Sequence, residues 1–156
     1  MDMYDSMFSS NYMLIDQIAR QIFDLLPECG PIMVIMDREG NLWPSKPEEF
    51  GKLNINEPFL KELCAKVDDG AEPVITQVSE ASITAAQLAT ERSNCGYVII
   101  VLPQYNPEST LINIDLIETL LHQTVLIADL IEKNNLLNEL QTKLYSVYGK
   151  SEAPSN

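Results

Sequence analysis

Residues 33–49 read MVIMDREGNLWPSKPEE, and the reading of this stretch decides the fold. Counted from Asp37, oxygen-bearing residues fall at Asp37, Glu39, Asn41, Ser45 and Glu48. These are the first, third, fifth, ninth and twelfth places of a calcium-binding loop. Two features remove that reading. Such a loop needs glycine at its sixth place for a sharp turn, where this chain has Leu42, with Gly40 two places early. It also needs a helix on either side, whereas Pro31 to Met36 is a continuous apolar run between turn residues, the mark of a buried strand. The stretch is therefore a sheet hairpin. One strand enters through Met36, Asp37 to Asn41 turn with Gly40 able to take a positive φ, and Leu42 and Trp43 return. Its acidic residues are expected on a solvated turn, and no metal site is expected.

Working outward, Leu14, Ile15, Ile18, Ile22, Leu25 and Leu26 recur at helical spacing after a cap at Ser10 or Asn11, and Pro27 and Gly30 end that helix. Beyond the hairpin, Phe59, Leu60, Leu63, Cys64 and Val67 line one face of a helix that follows Asn56 and stops at Asp69-Gly70. Val74 to Val78 and Ile83 to Thr90 read as strands. Tyr97 to Leu102, between Gly96 and Pro103, is the clearest strand, being rich in β-branched residues. From Glu108 to Tyr148 there is neither proline nor glycine, which predicts one long helix. Leu116, Ile117, Leu120, Leu121, Ile127, Leu130 and Ile131 give its first half a wide apolar face. Leu137, Leu140, Leu144 and Val147 narrow it to a stripe, in which Leu130, Leu137 and Leu144 repeat at seven. A helix of this length exceeds the width of a small domain, and a narrow heptad stripe is what a partner helix covers. Residues 10–135 are expected to form the domain, 136–148 a helical extension with coiled-coil character, and 1–9 and 149–156 disordered ends.

Composition sets the outer bounds. A chain of 156 residues suits one domain. Ten Lys and Arg against 23 Asp and Glu give a formal charge of -13, which repels nucleic-acid phosphates and anionic lipid, so neither is an expected partner. No apolar run reaches the length of a membrane span, and the acidic start Met1-Asp2-Met3-Tyr4-Asp5 lacks the features of a signal peptide. A cytoplasmic location is expected. Cys29, Cys64 and Cys95 are odd in number and widely spaced, a pattern of reduced packing residues rather than disulfides or a zinc knuckle.

Catalytic motifs are sparse. His122 is the sole histidine, so no histidine pair can ligate metal or relay protons. No Gly-x-Ser-x-Gly elbow and no phosphate-cradling glycine pattern accompany it. Cys95 has only Arg92 nearby to stabilise a thiolate. No catalytic residue is assigned, and the chain is expected not to be an enzyme.

The segment Ser82-Ile83-Thr84-Ala85-Ala86-Gln87-Leu88, a polar turn, and Gly96 to Leu102 resemble a recurring pattern of GAF domains, as does the closing helix Leu116 to Leu137 with its ETLLHQTVLIADLIEKNN. The resemblance spans Pro31 to Asn135. Gln87 stands where the family often has proline. The Asn-Lys-x-x-x-Phe-x-x-x-Asp-Glu motif of cyclic-nucleotide binders and a bilin-attaching cysteine are both missing. The resemblance implies an α+β fold with an antiparallel sheet of about five or six strands. A helical crossover would cover one face, where family members hold a small ligand, and the N- and C-terminal helices would cover the other and commonly form a dimer. On that reading Trp43, Phe59, Leu63, Val67, Ile75, Ile83 and Tyr97 are candidate ligand-binding residues. Ile18, Ile22, Leu130, Leu137, Leu140 and Leu144 are candidates for a homodimer interface.

Three functions follow, in this order of preference. The first is a sensory or regulatory module that binds a small molecule, of no class the sequence identifies, and signals through dimeric helices. The second is a dimeric interaction protein whose pocket is filled by side chains. The third is a cysteine-based reductase of methionine sulfoxide, a chemistry found in a few GAF-fold proteins. No cofactor is assigned.

Overall fold

The computed structural model describes residues 10–70, 73–78, 80–103 and 105–151. The lead-in 1–9 and the tail from 152 lie outside the described residues. Helix α1 (Ser10–Phe23) leads into strand β1 (Ile32–Met36) and strand β2 (Leu42–Pro44). A crossover of a short helix α2 (Pro47–Lys52) and helix α3 (Glu57–Gly70) follows. Strands β3 (Val74–Val78), β4 (Ala81–Ala89) and β5 (Asn94–Pro103) then precede helix α4 (Pro107–Ile112) and helix α5 (Ile114–Ser151).

The five strands form one sheet in the order β2-β1-β5-β4-β3, antiparallel at every pairing. The three hairpins, β1–β2, β3–β4 and β4–β5, are local, and the crossover carries the chain from one edge of the sheet to the other. This is the α+β architecture expected from the sequence. Every residue of β1 is buried, because β1 and β5 are covered on both faces. Alternate residues go to opposite sides. Ile32, Val34, Met36, Tyr97, Ile99 and Val101 pack with Leu60, Leu63, Cys64 and Val67 of α3. Met33, Ile35, Val98 and Ile100 pack with α1 and α5 on the other side.

The hairpin turn is built by Asp37. Its carboxylate accepts the backbone amides of Glu39 at 3.0 Å and Asn41 at 2.8 Å, and the Asn41 side-chain amide at 2.8 Å. Gly40 takes φ +93. Asp37 is only 5% exposed, so the acidic turn is not solvated at this residue as expected. Its oxygens face N–H donors in place of the cation a calcium loop would offer. Helix α3 begins where Asn56 accepts the Phe59 amide at 2.8 Å, an ordinary N-cap bond.

Three elements differ from expectation. The long C-terminal helix is two helices. Asn106 caps α4 by accepting the Ser109 amide at 2.7 Å. Asn113 ends α4 (φ -103, ψ 17), donates its side-chain amide to Ser109, and offers its carbonyl to the amides of Leu116 and Ile117 to open α5. An asparagine that serves both helices breaks the run without proline or glycine. Helix α5 continues through Ser151, past 149, where the tail was expected to begin. Helix α2 escapes sequence reading because it is six residues long and buries none of them.

Among the described residues, no helix is long and apolar enough to cross a membrane.

Candidate functional site

The candidate ligand-binding residues do not gather around one space. Strand parity separates them. Trp43 pairs with Ile35 and Ile75 pairs with Thr84, and directly paired residues share a face. Both therefore lie on the side of the terminal helices, away from α3. Trp43 packs against Tyr12 at 4.8 Å between centroids, the rings tilted by 55°, and donates its indole N–H to Asp16 at 3.3 Å. It fastens α1 to the hairpin and walls no pocket under the crossover.

Phe59, Leu63, Val67, Ile83 and Tyr97 do share the α3 side, but the space beneath Phe59 to Val67 is filled. Leu63, Val67 and Ile83 are buried in the same cluster. The gap lined by Phe59, Leu63 and Thr76 holds about 40 Å³, little more than a water. A ligand cannot sit where these side chains interdigitate.

The open space lies to one side. A cleft of about 600 Å³ runs between α3 and the β1–β2 hairpin, within the range of small-molecule sites. Met36, Leu42, Ile55, Leu60, Cys64 and Ala65 give it apolar walls, and Asp37, Arg38, Lys61, Asp68 and Tyr97 bring polar atoms to it. Of the sequence candidates only Tyr97 lines it.

Asp68 is the node of the cleft. It accepts the Tyr97 hydroxyl at 2.7 Å and the Gln87 side-chain amide at 3.4 Å, and Arg38 approaches it at 3.7 Å. The Arg38 guanidinium lies 5.7 Å from the centre of the Tyr97 ring, within cation–π range. Gln87 and Tyr97 are cross-strand partners on β4 and β5, which places both on Asp68. Burial, and then the bond to Asp68, push the Tyr97 hydroxyl up to about 12, with Arg38 opposing. Burial and then the Asp68 charge push the Cys64 thiol up to about 11. Both groups therefore keep their protons at neutral pH. Tyr97 acts as a hydrogen-bond donor, and Cys64 lacks the thiolate a nucleophile needs.

The hairpin is locked to the sheet centre by Gly96. Its φ is +126, and a Cβ there would stand 2.2 Å from the Met36 carbonyl oxygen. Only glycine allows β1 and β5 to approach so closely at the cleft wall. Beside it the β4–β5 register shifts between Leu88 and Ala89, which marks a β-bulge.

From that bulge the β4–β5 turn reaches α5. The Glu91 amide donates to Asp129 at 2.9 Å, the Ser93 hydroxyl donates to Glu132, and Lys133 pairs with Glu91 at 3.3 Å. Burial pushes the Glu132 carboxyl up, but bonds from Ser93, Thr90 and the Arg92 amide, with the Arg92 charge, outweigh it and hold the group below its ordinary value. Burial, then Glu132 and Asp129, push the Cys95 thiol up to about 11. Cys95 is buried in the core and faces no cleft.

The dimer candidates also divide. Ile18 and Ile22 are buried against the sheet, because α1 uses its one apolar stripe within its own domain, and they offer nothing to a partner. Leu130, Leu137, Leu140 and Leu144 are exposed. The wide apolar face expected for the first half of α5 is in fact two faces. Ile117 and Leu121 are buried with Ala128, while Leu116, Leu126 and Leu130 point to solvent.

No family model matches the chain, and no curated protein matches it. Among solved structures the chain bears a distant resemblance to a GAF domain/HD domain protein from Geobacter sulfurreducens, at 13% identity and a TM-score of 0.38, covering 79% of this chain and 94% of that one.

Proposed function

We propose that the chain is a non-catalytic regulatory module that takes a small molecule in the cleft between α3 and the β1–β2 hairpin and delivers the response through a dimeric α5. The Asp68 node carries this reading. It joins a cleft of ligand size to the Gln87–Tyr97 pair, and the turn that follows this pair holds α5 through Asp129, Glu132 and Lys133. A ligand that draws Arg38 or Tyr97 off Asp68 would disturb the strand pair from which that turn springs. The raised thiols of Cys64 and Cys95 speak against cysteine chemistry.

A metabolite library screened by thermal shift tests the reading. Ala65 lines the cleft and is exposed, so Ala65→Trp fills the cleft without entering the core. At least one compound is expected to stabilise the native protein and to lose its effect on Ala65→Trp. A library without hits, or hits that ignore Ala65→Trp, would sink the proposal. Hydrogen exchange at residues 129–136 is expected to change when the ligand binds.

The filled space beneath α3 favours a second reading, an interaction protein that works through α5 alone. It predicts the same dimer but no ligand response. Truncation after Asn134 is expected to abolish the dimer on either reading.

A further inference from the structure

Helix α5 carries an exposed seam longer than the sequence stripe. Leu116 and Leu130 lie on the same heptad position as Leu137 and Leu144, and Leu126 lies on the same position as Leu140 and Val147. All seven are at least 50% exposed. The remaining places of the seam between Leu116 and Val147 are Thr119, Gln123 and Lys133. The domain's own grip on α5 reaches Asn135, whose side-chain amide donates to Gln17 at 2.6 Å. Beyond Leu136 every residue to Tyr148 is exposed.

We infer that a second copy of this chain covers this seam from Gln123 to Val147 in antiparallel orientation, with the twofold axis level with Asn135. The inference rests on the dimeric α5 proposed above and adds its direction and register. Three observations support it.

The first is the polar residues of the seam. In a parallel pair, residues on one heptad position face their own copies, so Gln123 would face the partner's Gln123, and Lys133, whose ammonium reaches Glu91 at 3.3 Å, the partner's Lys133. Polar residues stacked on their own copies, with a like charge that Glu91 offsets only at the surface, oppose pairing. In the antiparallel register Lys133 faces the partner's Leu137, Gln123 the partner's Val147, Leu126 the partner's Leu144 and Leu130 the partner's Leu140.

The second is the charges that flank the seam. Between Leu120 and Tyr148 the flanking positions hold two fully charged residues, Asp129 and Lys143. Antiparallel pairing sets Asp129 beside the partner's Lys143, twice by symmetry. In a parallel pair they are fourteen residues apart along the axis, about 21 Å, and solvent screens such a distance.

The third is support. Each bare half of α5 would lie along the stretch that the other copy's domain holds in place. Two unsupported overhangs would not have to order one another.

The test uses the full chain. Sedimentation of the native protein is expected to show a dimer and of Leu140→Glu a monomer that still unfolds cooperatively. A native monomer would overturn the dimer reading and this inference together. Lys143→Glu is expected to weaken the dimer about tenfold at low salt and Lys143→Gln much less, the difference shrinking at high salt; Asp129 itself is left intact because it also accepts the Glu91 amide. Equal effects of the two variants would count against the pairing. Direction is then read by spin labels at Ser146→Cys and Asn138→Cys, in a Cys29→Ser background because Cys29 is the exposed native thiol. Antiparallel helices place the two Ser146 labels about 35 Å apart and the two Asn138 labels much closer. Short distances at both positions would show a parallel pair, which overturns the orientation and leaves the dimer standing.

Discussion

The two faces of the sheet are covered unequally. Five strands span about 19 Å, and a helix with its side chains is about 10 Å across. Two helices cover most of such a face, as α1 and α5 do, leaving a gap of about 270 Å³ at Ala86, Leu121 and Val125. On the other face α3 stands almost alone, since α2 buries none of its residues. The width that α3 leaves over the β1–β2 hairpin is the cleft. Length differs as well. The 14 residues of α3 suit the sheet, whereas the 38 of α5 extend about 57 Å and overrun it. The face with too little helix has a cavity, and the face with too much has a bare apolar seam. Both candidate functions arise from mismatch between helix and sheet, and neither from a reactive group.

Gly96→Ala should have the largest effect, because it strikes the contact on which both faces are built. The positive φ and the overlap with the Met36 carbonyl predict a loss of about 4 kcal/mol by urea unfolding. A loss under about 1 kcal/mol would show that β1 and β5 can separate without harm. Next, Ile18→Ala should cost about 3 kcal/mol, as a core truncation on the closed face.

Alkaline pH should come third. Tyr97, Cys64 and Cys95 all have raised values, near 12 and 11. Below about pH 8 these groups are protonated in both folded and unfolded chains, and their contribution is whole. Above it the unfolded chain loses protons first, so stability falls as pH rises through the folded values. Urea melts should lose about 2 kcal/mol between pH 8 and pH 10, and Cys64→Ser with Cys95→Ser should flatten most of that slope. A flat profile in the native protein would mean that water reaches the thiols.

Tyr97→Phe tests the open face more gently. It removes the hydroxyl bond but leaves Asp68 its contacts with Gln87 and Arg38, so a cost of about 1 kcal/mol is expected. Leu137→Ala should be the mildest. In dilute protein, where the chain is monomeric, its effect should stay within about 0.5 kcal/mol. A larger value would place Leu137 in the core and end the contrast with Ile18.

Much of the fold was legible before the structure. The run Ile32 to Met36 and the strand Tyr97 to Val101 are apolar at successive positions, which only strands buried on both faces need. Asp37 to Asn41 held the turn chemistry, and Asn56 held a helix start. The absence of proline and glycine between Glu108 and Tyr148 announced a helix longer than the domain. These are local signals, and local chemistry enforces them. The break at Asn113 went unread because an asparagine offers capping groups that become decisive only when used.

The candidate site was much less legible. Trp43 and Ile75 were candidate cavity walls through the GAF resemblance, but the face each one occupies depends on register, where a slip of one residue exchanges the two sides. Arg38, Gln87 and Asp68 come from a turn, a strand and a helix, and no spacing in the chain joins them. Gly96 was the one available hint, a glycine at the mouth of a buried strand. Ile18 and Leu137 sit on equally good apolar stripes, yet one is covered and the other bare. By itself the sequence determined which segments would be strands and helices and which residues sought cover, because periodicity and turn chemistry act over a few neighbours. Only the tertiary structure decided where cover ran out, because that depends on the width and length of elements meeting across the chain.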